Sequence, residues 1–213
     1  MIDLHTHSIF SDGVLIPAEL VRRAEFKGLK IIGITDHGDT SNIDFIIPRI
    51  AAVADELNGV VKIKVIPGIE ITHVPPVLIG DTVKKARSLG AEIIIVHGET
   101  IAEPVAPGTN NAALEADIDV LAHPGLITED EVVKAKEKGI LLEISARKGH
   151  SLTNGHVAQL ATRIGAGLVI NSDAHAPGDL INQKEAARIV RGSGLTEKDF
   201  KIMQNNAANL FLK

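Results

Sequence analysis

Short apolar runs rich in β-branched residues alternate along the chain with longer segments of helical periodicity. The short runs cover residues 2–4, 31–35, 60–71, 92–96, 118–122, 140–144 and 167–171. The helical segments cover residues 17–28, 44–57, 76–89, 128–138, 153–164 and 179–192. This alternation predicts an α/β fold with a parallel sheet, because each parallel neighbour is reached through a crossover connection. The near-continuous apolar character of the strands predicts that both faces of the sheet are covered.

The loop after the first strand distinguishes an open sheet from a closed one. An open, doubly wound sheet is expected to carry a glycine-rich phosphate loop there, and this chain has His5-Thr6-His7-Ser8 instead. The seven strands therefore predict a closed or nearly closed barrel with its helices outside. Pro17 marks the start of one helix, Thr128 and Glu131 form a capping box for another, and Gly139 ends it.

Composition removes several classes of protein and site. The 213 residues include no Cys, which excludes disulfide scaffolds, thiolate metal sites and cysteine nucleophiles. The chain has no Trp or Tyr, five Phe and a net charge of −5, which argues against an extended nucleic-acid partner. No apolar run approaches the roughly 20 residues of a membrane span, and no basic, apolar leader opens the sequence. We therefore expect one cytoplasmic domain over residues 1–213 that does not enter a membrane.

Histidine and carboxylate residues follow the predicted strands at the point where each strand ends. In chain order they are His5, His7 and Asp12, then Asp36 and His37, then Glu70, His97, His123, and finally Asp173 and His175. In β/α barrels the carboxyl ends of the strands converge on one face, so these side chains are expected to lie together.

With Asp36 set aside as a possible helix cap, six histidines and three carboxylates in one small volume predict a metal cluster. A single histidine at a strand end is more often a structural residue, and Asp12 in Ser11-Asp12-Gly13 alone would suggest a turn. The repetition at six of seven strand ends favours metal binding instead, because so many unpaired polar groups are costly to bury without cations. Imidazole and carboxylate without thiolate suit zinc, iron or manganese.

These motifs, in this order, resemble the PHP (polymerase and histidinol phosphatase) family of metal-dependent phosphoesterases. The matching pieces are His5-Thr6-His7 with Ser11-Asp12-Gly13, Ile34-Thr35-Asp36-His37, Gly68-Ile69-Glu70, Val96-His97-Gly98, Ala122-His123-Pro124-Gly125 and Asn171-Ser172-Asp173-Ala174-His175. They extend over nearly the whole chain. The resemblance implies a distorted (β/α)7, TIM-like barrel, which agrees with the seven strands counted from the alternation.

The resemblance also implies a trinuclear centre and assigns its ligands. One metal ion would take His5, His7, Glu70 and Asp173. A second would share Glu70 as a bridge and add His97 and His123, and a third would take Asp12, His37 and His175. All nine positions carry residues able to bind a metal ion.

The expected activity is hydrolysis of a small phosphomonoester of the histidinol-phosphate type by a metal-bridging hydroxide, with no catalytic residue beyond that hydroxide. Arg147 and Lys148, which follow the one strand without a family ligand, are expected to clamp a phosphate. His73 and His150 are expected to contact substrate. We expect Asp36, Glu99 and Glu143 to support the ligands from behind, and the long loop 98–111 to cover the site.

Three alternatives remain open on the sequence alone. The first is a nucleotide or short-oligonucleotide phosphoesterase or exonuclease. The second is an amidohydrolase-type hydrolase, although that class typically has a metal-bridging lysine where this chain has His97. The third is a non-enzymatic barrel that serves as an interaction surface, which would be marked by lost ligands. The oligomeric state and the choice of metal are not determined.

Overall fold

The predicted strands form one parallel sheet in the computed structural model, which describes residues 1–211. The strands are β1 (Ile2–Asp3), β2 (Ile31–Ile34), β3 (His37–Gly38), β4 (Lys64–Ile71), β5 (Ile93–His97), β6 (Val120–Ala122), β7 (Leu141–Ser145) and β8 (Leu168–Asn171). Their order is β1-β2-β4-β5-β6-β7-β8, and β3 pairs with β4 beyond the end of β2. Strands β2 and β3 thus occupy one position in the sheet, so the seven predicted strand positions are confirmed.

A parallel bridge between Thr6 and Ala174 joins the two edges of the sheet just beyond β1 and β8. The amide of His7 donates to the carbonyl of Ala174 at 2.8 Å. The sheet therefore closes into a TIM-like barrel at its carboxyl end, as the sequence predicts. Buried side chains such as Leu4, Ile66 and Ile95 fill the barrel interior, and a larger apolar core lies between strands and helices.

Eight α-helices lie within residues 1–211. They are α1 (Pro17–Phe26), α2 (Ile43–Asn58), α3 (Pro76–Ser88), α4 (Thr109–Glu115), α5 (Glu129–Lys138), α6 (Asn154–Ile164), α7 (Gln183–Gly192) and α8 (Glu197–Asn209). The three end signals noted above are confirmed, because Pro17 opens α1, Thr128 and Glu131 make a reciprocal capping box, and Gly139 ends α5 in the left-handed region. Among residues 1–211, no helix is both long and apolar enough to cross a membrane.

Two helices are absent from the sequence-based prediction. Helix α4 begins inside the segment predicted as loop 98–111 and buries Ala113 and Leu114. Helix α8 follows α7 without an intervening strand, so the strand–helix alternation gives no sign of it. Its Gln204 accepts from the amide of Ile2 at 2.6 Å and its Asn206 donates to the carbonyl of Leu168 at 2.9 Å. These contacts place α8 against the amino end of the barrel, opposite the predicted metal face.

Candidate metal centre

The nine predicted metal ligands meet at the carboxyl end of the barrel. Six of them are buried, namely His5, His7, Glu70, His97, His123 and Asp173. His37 and His175 are partly buried, and Asp12, in the loop after β1, is exposed. The parallel register aligns His37 with Glu70 across β3 and β4, which fixes the depth of both side chains in the site.

An inner group consists of three imidazoles around two carboxylates: His5, His7, His123, Glu70 and Asp173. The Nε2 atom of His5 is 3.3 Å from Glu70 Oε2, and that of His7 is 3.3 Å from Asp173 Oδ1. The Nε2 atom of His123 is 3.5 Å from Glu70 Oε1 and 3.8 Å from Asp173 Oδ2. All three histidines thus point the same ring nitrogen at the same pair of carboxylates.

An outer group lies nearer the solvent. Asp12 Oδ1 is 3.4 Å from His37 Nε2 and 3.1 Å from His175 Nε2. The ring of His7 lies between this group and the inner one, with centroids 4.2 Å from His37 and 4.0 Å from His175. These four residues offer ligand atoms within 4.8 Å of one another, which is close enough to surround a cation.

A lateral group consists of His97, His123 and His150, whose ligand atoms lie within 4.8 Å of one another. His123 belongs to the inner group as well, because its Nε2 atom faces Glu70. The ring of His150 stacks on His123 at a centroid distance of 4.0 Å, and its Nδ1 is 2.9 Å from Thr100 Oγ1. His150, expected from the sequence to contact substrate, therefore sits among the histidines.

The donor atoms of this face fit a cation. Of the buried side-chain nitrogens and oxygens that lack a hydrogen-bond partner within residues 1–211, six belong to the predicted ligands: His5 Nε2, His7 Nδ1 and Nε2, Glu70 Oε1, His123 Nδ1 and His175 Nε2. Buried polar atoms are rarely left without a partner, because the lost hydration is not repaid. Neutral imidazole nitrogen and carboxylate oxygen are ligands that zinc and manganese accept.

Local electrostatics favour the metal-binding protonation states of two predicted ligands, His7 and Glu70. Burial and the neighbouring His37 and His5 hold the pKa of His7 well below its usual value, which leaves a neutral ring. Burial alone would raise the pKa of Glu70, but His5 and His37 beside it lower that pKa well below its usual range. Against the effect of burial, Glu70 raises the pKa of His37 and raises that of His5 well above its usual value, so these two rings would release a proton when a cation binds.

Glu143 is the residue that supports the ligands most directly. Its Oε1 is 2.8 Å from His5 Nδ1 and its Oε2 accepts from the amide of His123 at 3.2 Å. Asn171 donates to Glu143 Oε1 at 2.8 Å. Burial opposes ionisation of Glu143, but His5 lowers its pKa to about 2. A carboxylate behind a histidine fixes the ring so that its other nitrogen faces the site.

The other two predicted supporting residues act on loops rather than on histidine rings. Asp36 accepts hydrogen bonds from the Ser8 amide, the Ser8 hydroxyl and the Ser11 hydroxyl, each at 2.7 Å. It thereby holds the loop that carries Asp12. Glu99 accepts from the amides of Gly108 and Asn110 at 3.0 Å, which anchors the start of α4.

A cavity of about 410 Å³ opens above the three groups. His73, Arg147 and His150 line it, as the sequence predicts for substrate contacts, together with Glu103 from loop 98–111. Lys148 is exposed and does not line this cavity. It lines a neighbouring cavity together with Arg147, so only Arg147 of the two predicted phosphate-binding residues reaches the site. The sequence analysis did not predict a role for Glu103; it predicted only that the long loop 98–111 covers the site.

Within residues 1–211, three residues other than glycine have a positive φ: His73 at 52°, His123 at 28° and Asp173 at 53°. Such angles cost free energy in residues with a Cβ atom and are concentrated at functional sites. Two of the three are predicted metal ligands, and the third, His73, lines the same cavity. Strain in this structure is therefore concentrated around one site.

The chain is similar in sequence or fold to several known proteins. An uncharacterized protein of Methanocaldococcus jannaschii is 48% identical over 201 residues, which span 93% of this chain and 92% of that protein. A Thermoanaerobacter sp. (strain X514) protein named a probable phosphatase is 29% identical over 226 residues, 92% of this chain and 88% of its own length. A chain of the archaeal ribonuclease P structure with mature tRNA shares the fold, with a TM-score of 0.74, 20% identity, and coverage of 99% of this chain and 89% of that chain.

The PHP domain profile matches residues 3–138, which hold seven of the nine predicted ligands and more than half of the chain. The two remaining ligands, Asp173 and His175, lie beyond the matched region and complete the same face. The chain belongs to the PHP domain family.

Proposed function

We propose that this protein is a metal-dependent phosphoesterase that hydrolyses a small phosphomonoester. The observation that carries the proposal is the inner group, in which three buried Nε2 atoms surround Glu70 and Asp173 at 3.3 to 3.8 Å. The relative named a probable phosphatase supports the same class of reaction. Nothing in the proposal requires a nucleophilic side chain.

Three divalent cations, zinc, manganese or iron, are proposed to occupy the site. His5, His7, Glu70 and Asp173 would hold the first, Asp12, His37 and His175 would hold the outermost, and His97 and His123 would contribute to the remaining one. When bound there, divalent cations activate water for attack on phosphorus and offset the charge that grows on the phosphoryl oxygens.

Arg147 is the residue proposed to bind the phosphoryl group. Its Nη1 is 2.6 Å from His175 Nδ1 and 3.2 Å from the carbonyl of Asp173. A neutral His175 that presents its Nε2 lone pair to a cation must carry its proton on Nδ1. That proton can be donated to the carbonyl of Asp173, which is 3.0 Å away, and the guanidinium is then free to bind phosphoryl oxygens.

The size and charge of the site favour a small substrate. A cavity of about 410 Å³ is at the lower end of the range for sites that bind small molecules. The net charge of −5 and the shortage of aromatic residues argue against a long nucleic-acid strand. A phosphomonoester of the histidinol-phosphate type is the proposed substrate class, and a nucleotide is the alternative. The ribonuclease P likeness, at 20% identity, concerns the fold and supports neither.

The proposal is tested by a phosphate-release panel. Purified protein stripped of metal and reloaded with Mn²⁺, Zn²⁺ or Fe²⁺ would be assayed on histidinol phosphate, p-nitrophenyl phosphate, nucleoside mono- and bisphosphates, and short oligonucleotides. We expect metal-dependent release from small monoesters and little from oligonucleotides. Preferred release of nucleotides from oligonucleotides would favour the exonuclease alternative, and inactivity on every phosphoester with metal bound would reject the proposal.

Replacing Arg147 by Ala should lower kcat/KM by about 10- to 100-fold, because a charge-assisted hydrogen bond contributes roughly 1.5–3 kcal/mol. Arg147→Lys should recover only part of the loss, since an ammonium cannot bind two oxygens as the planar guanidinium does. Lys148→Ala is the comparison, because Lys148 faces the neighbouring cavity. Steady-state kinetics on the best small monoester measures all three, and equal losses for Arg147→Ala and Lys148→Ala would contradict this role.

A further inference from the structure

Glu103 lies where loop 98–111 crosses the cavity, and three histidine nitrogens face its carboxylate. Its Oε2 is 3.1 Å from His97 Nε2 and 3.4 Å from His73 Nε2, and its Oε1 is 3.4 Å from His150 Nε2. Glu103 is not one of the nine ligands that the family resemblance implies. It is also the one acidic side chain that loop 98–111 brings to the histidines.

We propose that Glu103 is a metal ligand which, with His73 and His97, holds a divalent cation at the mouth of the site. The inference rests on the proposed metal centre. The cation is the one assigned above to His97, because His97 has a single Nε2 lone pair to offer, and Glu103 and His73 add two ligands outside the nine-residue set. Two imidazoles and one carboxylate form a ligand set that zinc and iron enzymes use, and they leave positions open for water or substrate.

The distances between the donor atoms fit this assignment. Ligand bonds to zinc of about 2.0–2.2 Å, at angles between octahedral and tetrahedral, place neighbouring ligand atoms about 2.8–3.6 Å apart. The two separations from Glu103 Oε2, to His97 and to His73, fall in that interval. His97 Nδ1 lies 3.2 Å from the carbonyl of Gly98, so a proton on that nitrogen leaves Nε2 as a lone pair directed at Glu103.

His73 carries an independent sign of a functional role. Its φ of 52° places it in the left-handed region, a conformation that it shares, outside glycine and within residues 1–211, with the predicted ligands His123 and Asp173. This backbone turns the chain after β4 so that the imidazole lies 5.0 Å from the ring of His97, centroid to centroid. A strained histidine beside a carboxylate is well explained by a ligand role.

Loop 98–111 is tied down on both sides of Glu103, so the carboxylate is delivered to a fixed place. On one side, Thr100 is buried and its hydroxyl is 2.9 Å from His150 Nδ1. On the other, Glu99 accepts from the amides of Gly108 and Asn110, which anchors the start of α4. A cation bound by Glu103 would therefore join the loop to the barrel and close the loop over the site.

The test is metal binding by the stripped protein. Titration calorimetry measures the binding of Zn²⁺, and visible absorption spectra measure the binding of Co²⁺. Glu103→Gln should lower the affinity for one of the bound ions by about 10- to 100-fold or more, since even residues that only support a ligand contribute that much to metal affinity. His73→Ala should lower the affinity for the same ion. The double variant should lose little more affinity than either single variant, because both residues bind one cation.

Glu92→Gln is the matched control, because it makes the same chemical change at an exposed residue before β5, at the opposite end of the barrel. We expect its metal affinities to match those of the wild type. A second readout is hydrogen exchange at residues 100–106, where Zn²⁺ should slow exchange in the wild type and in Glu92→Gln but not in Glu103→Gln.

The outcomes separate this inference from the proposed function. If the wild-type protein binds no divalent cation, the proposed metal centre itself fails. If the wild type binds cations, and Glu103→Gln binds every one of them with unchanged affinity and Co²⁺ spectrum, Glu103 only hydrogen-bonds to His97 and the inference is rejected while the proposed function stands.

Discussion

Replacing Glu70 by Gln is expected to lower kcat/KM for phosphomonoester hydrolysis by about 10³-fold or more, because it removes charge at the centre of a preorganised electrostatic site. Glu70 lies within 3.7 Å of the Nε2 atoms of both His5 and His7, and its other oxygen is 3.5 Å from His123. Gln keeps the shape of the side chain, but it replaces the two carboxylate oxygens with one neutral oxygen and an NH2 group that cannot bind a cation. We therefore expect fewer bound metal ions together with the loss of activity.

The control for Glu70→Gln is Glu137→Gln, the same chemical change at an exposed position of α5. Its activity and metal content should equal those of the wild type. Metal analysis and steady-state kinetics on the same preparations decide the outcome, with circular dichroism to verify folding. If folded Glu70→Gln kept more than a tenth of the wild-type kcat/KM, the inner group would not be the reaction centre.

The fold was predictable because its strands and ligands follow from local pattern. The barrel order requires only that each strand be apolar and be followed by a crossover, and the sequence satisfies this at all seven positions. The chemistry at each strand end then follows from the barrel, since parallel strands place their carboxyl ends on one face. His5 and Asp173 are 168 residues apart in sequence, yet that rule alone predicts that they meet, and their side chains lie 3.7 Å apart.

The features that the sequence did not predict depend on contacts between distant segments. Helix α8 breaks the alternation, and its place is set by Gln204 and Asn206 bonding to the amino ends of β1 and β8. Glu103 carries no local signal either, because its approach to His97 depends on how loop 98–111 is anchored by Glu99 and Thr100. Periodicity and strand-end rules describe regular elements, and loop paths lie outside them.

The grouping of His97 illustrates the same limit within the site itself. The family resemblance implies that His97 and His123 share a metal with Glu70, and the structure adds His150 beside both, with ring centroids 5.8 Å and 4.0 Å away. Residue type predicts both histidines as ligands, but the approach of His150 to them depends on ring orientation. That orientation is set by contacts such as the 2.9 Å separation of Thr100 Oγ1 and His150 Nδ1, which a sequence pattern does not encode.

Removing the metal ions is expected to lower the melting temperature substantially, in addition to abolishing activity. A cation whose free concentration is 100 times its Kd stabilises the folded state by about 2.7 kcal/mol. For a chain of this size, 1 kcal/mol corresponds to roughly 2–4 °C. One ion therefore contributes about 5–10 °C under such conditions, and three independent ions would contribute proportionally more.

The physical reason for this loss lies in the buried donors, because stripping the ions leaves atoms such as His5 Nε2 and Glu70 Oε1 in the protein interior without a partner. Differential scanning calorimetry would compare protein stripped by a chelator, the same protein reloaded with Zn²⁺ or Mn²⁺, and protein given Ca²⁺. Zn²⁺ or Mn²⁺ should restore the melting temperature and Ca²⁺ should not, because a site rich in imidazole suits transition metals rather than a cation that prefers oxygen. Equal melting temperatures for stripped and reloaded protein, with metal analysis verifying both states, would mean that the cluster of histidines and carboxylates is stable without cations.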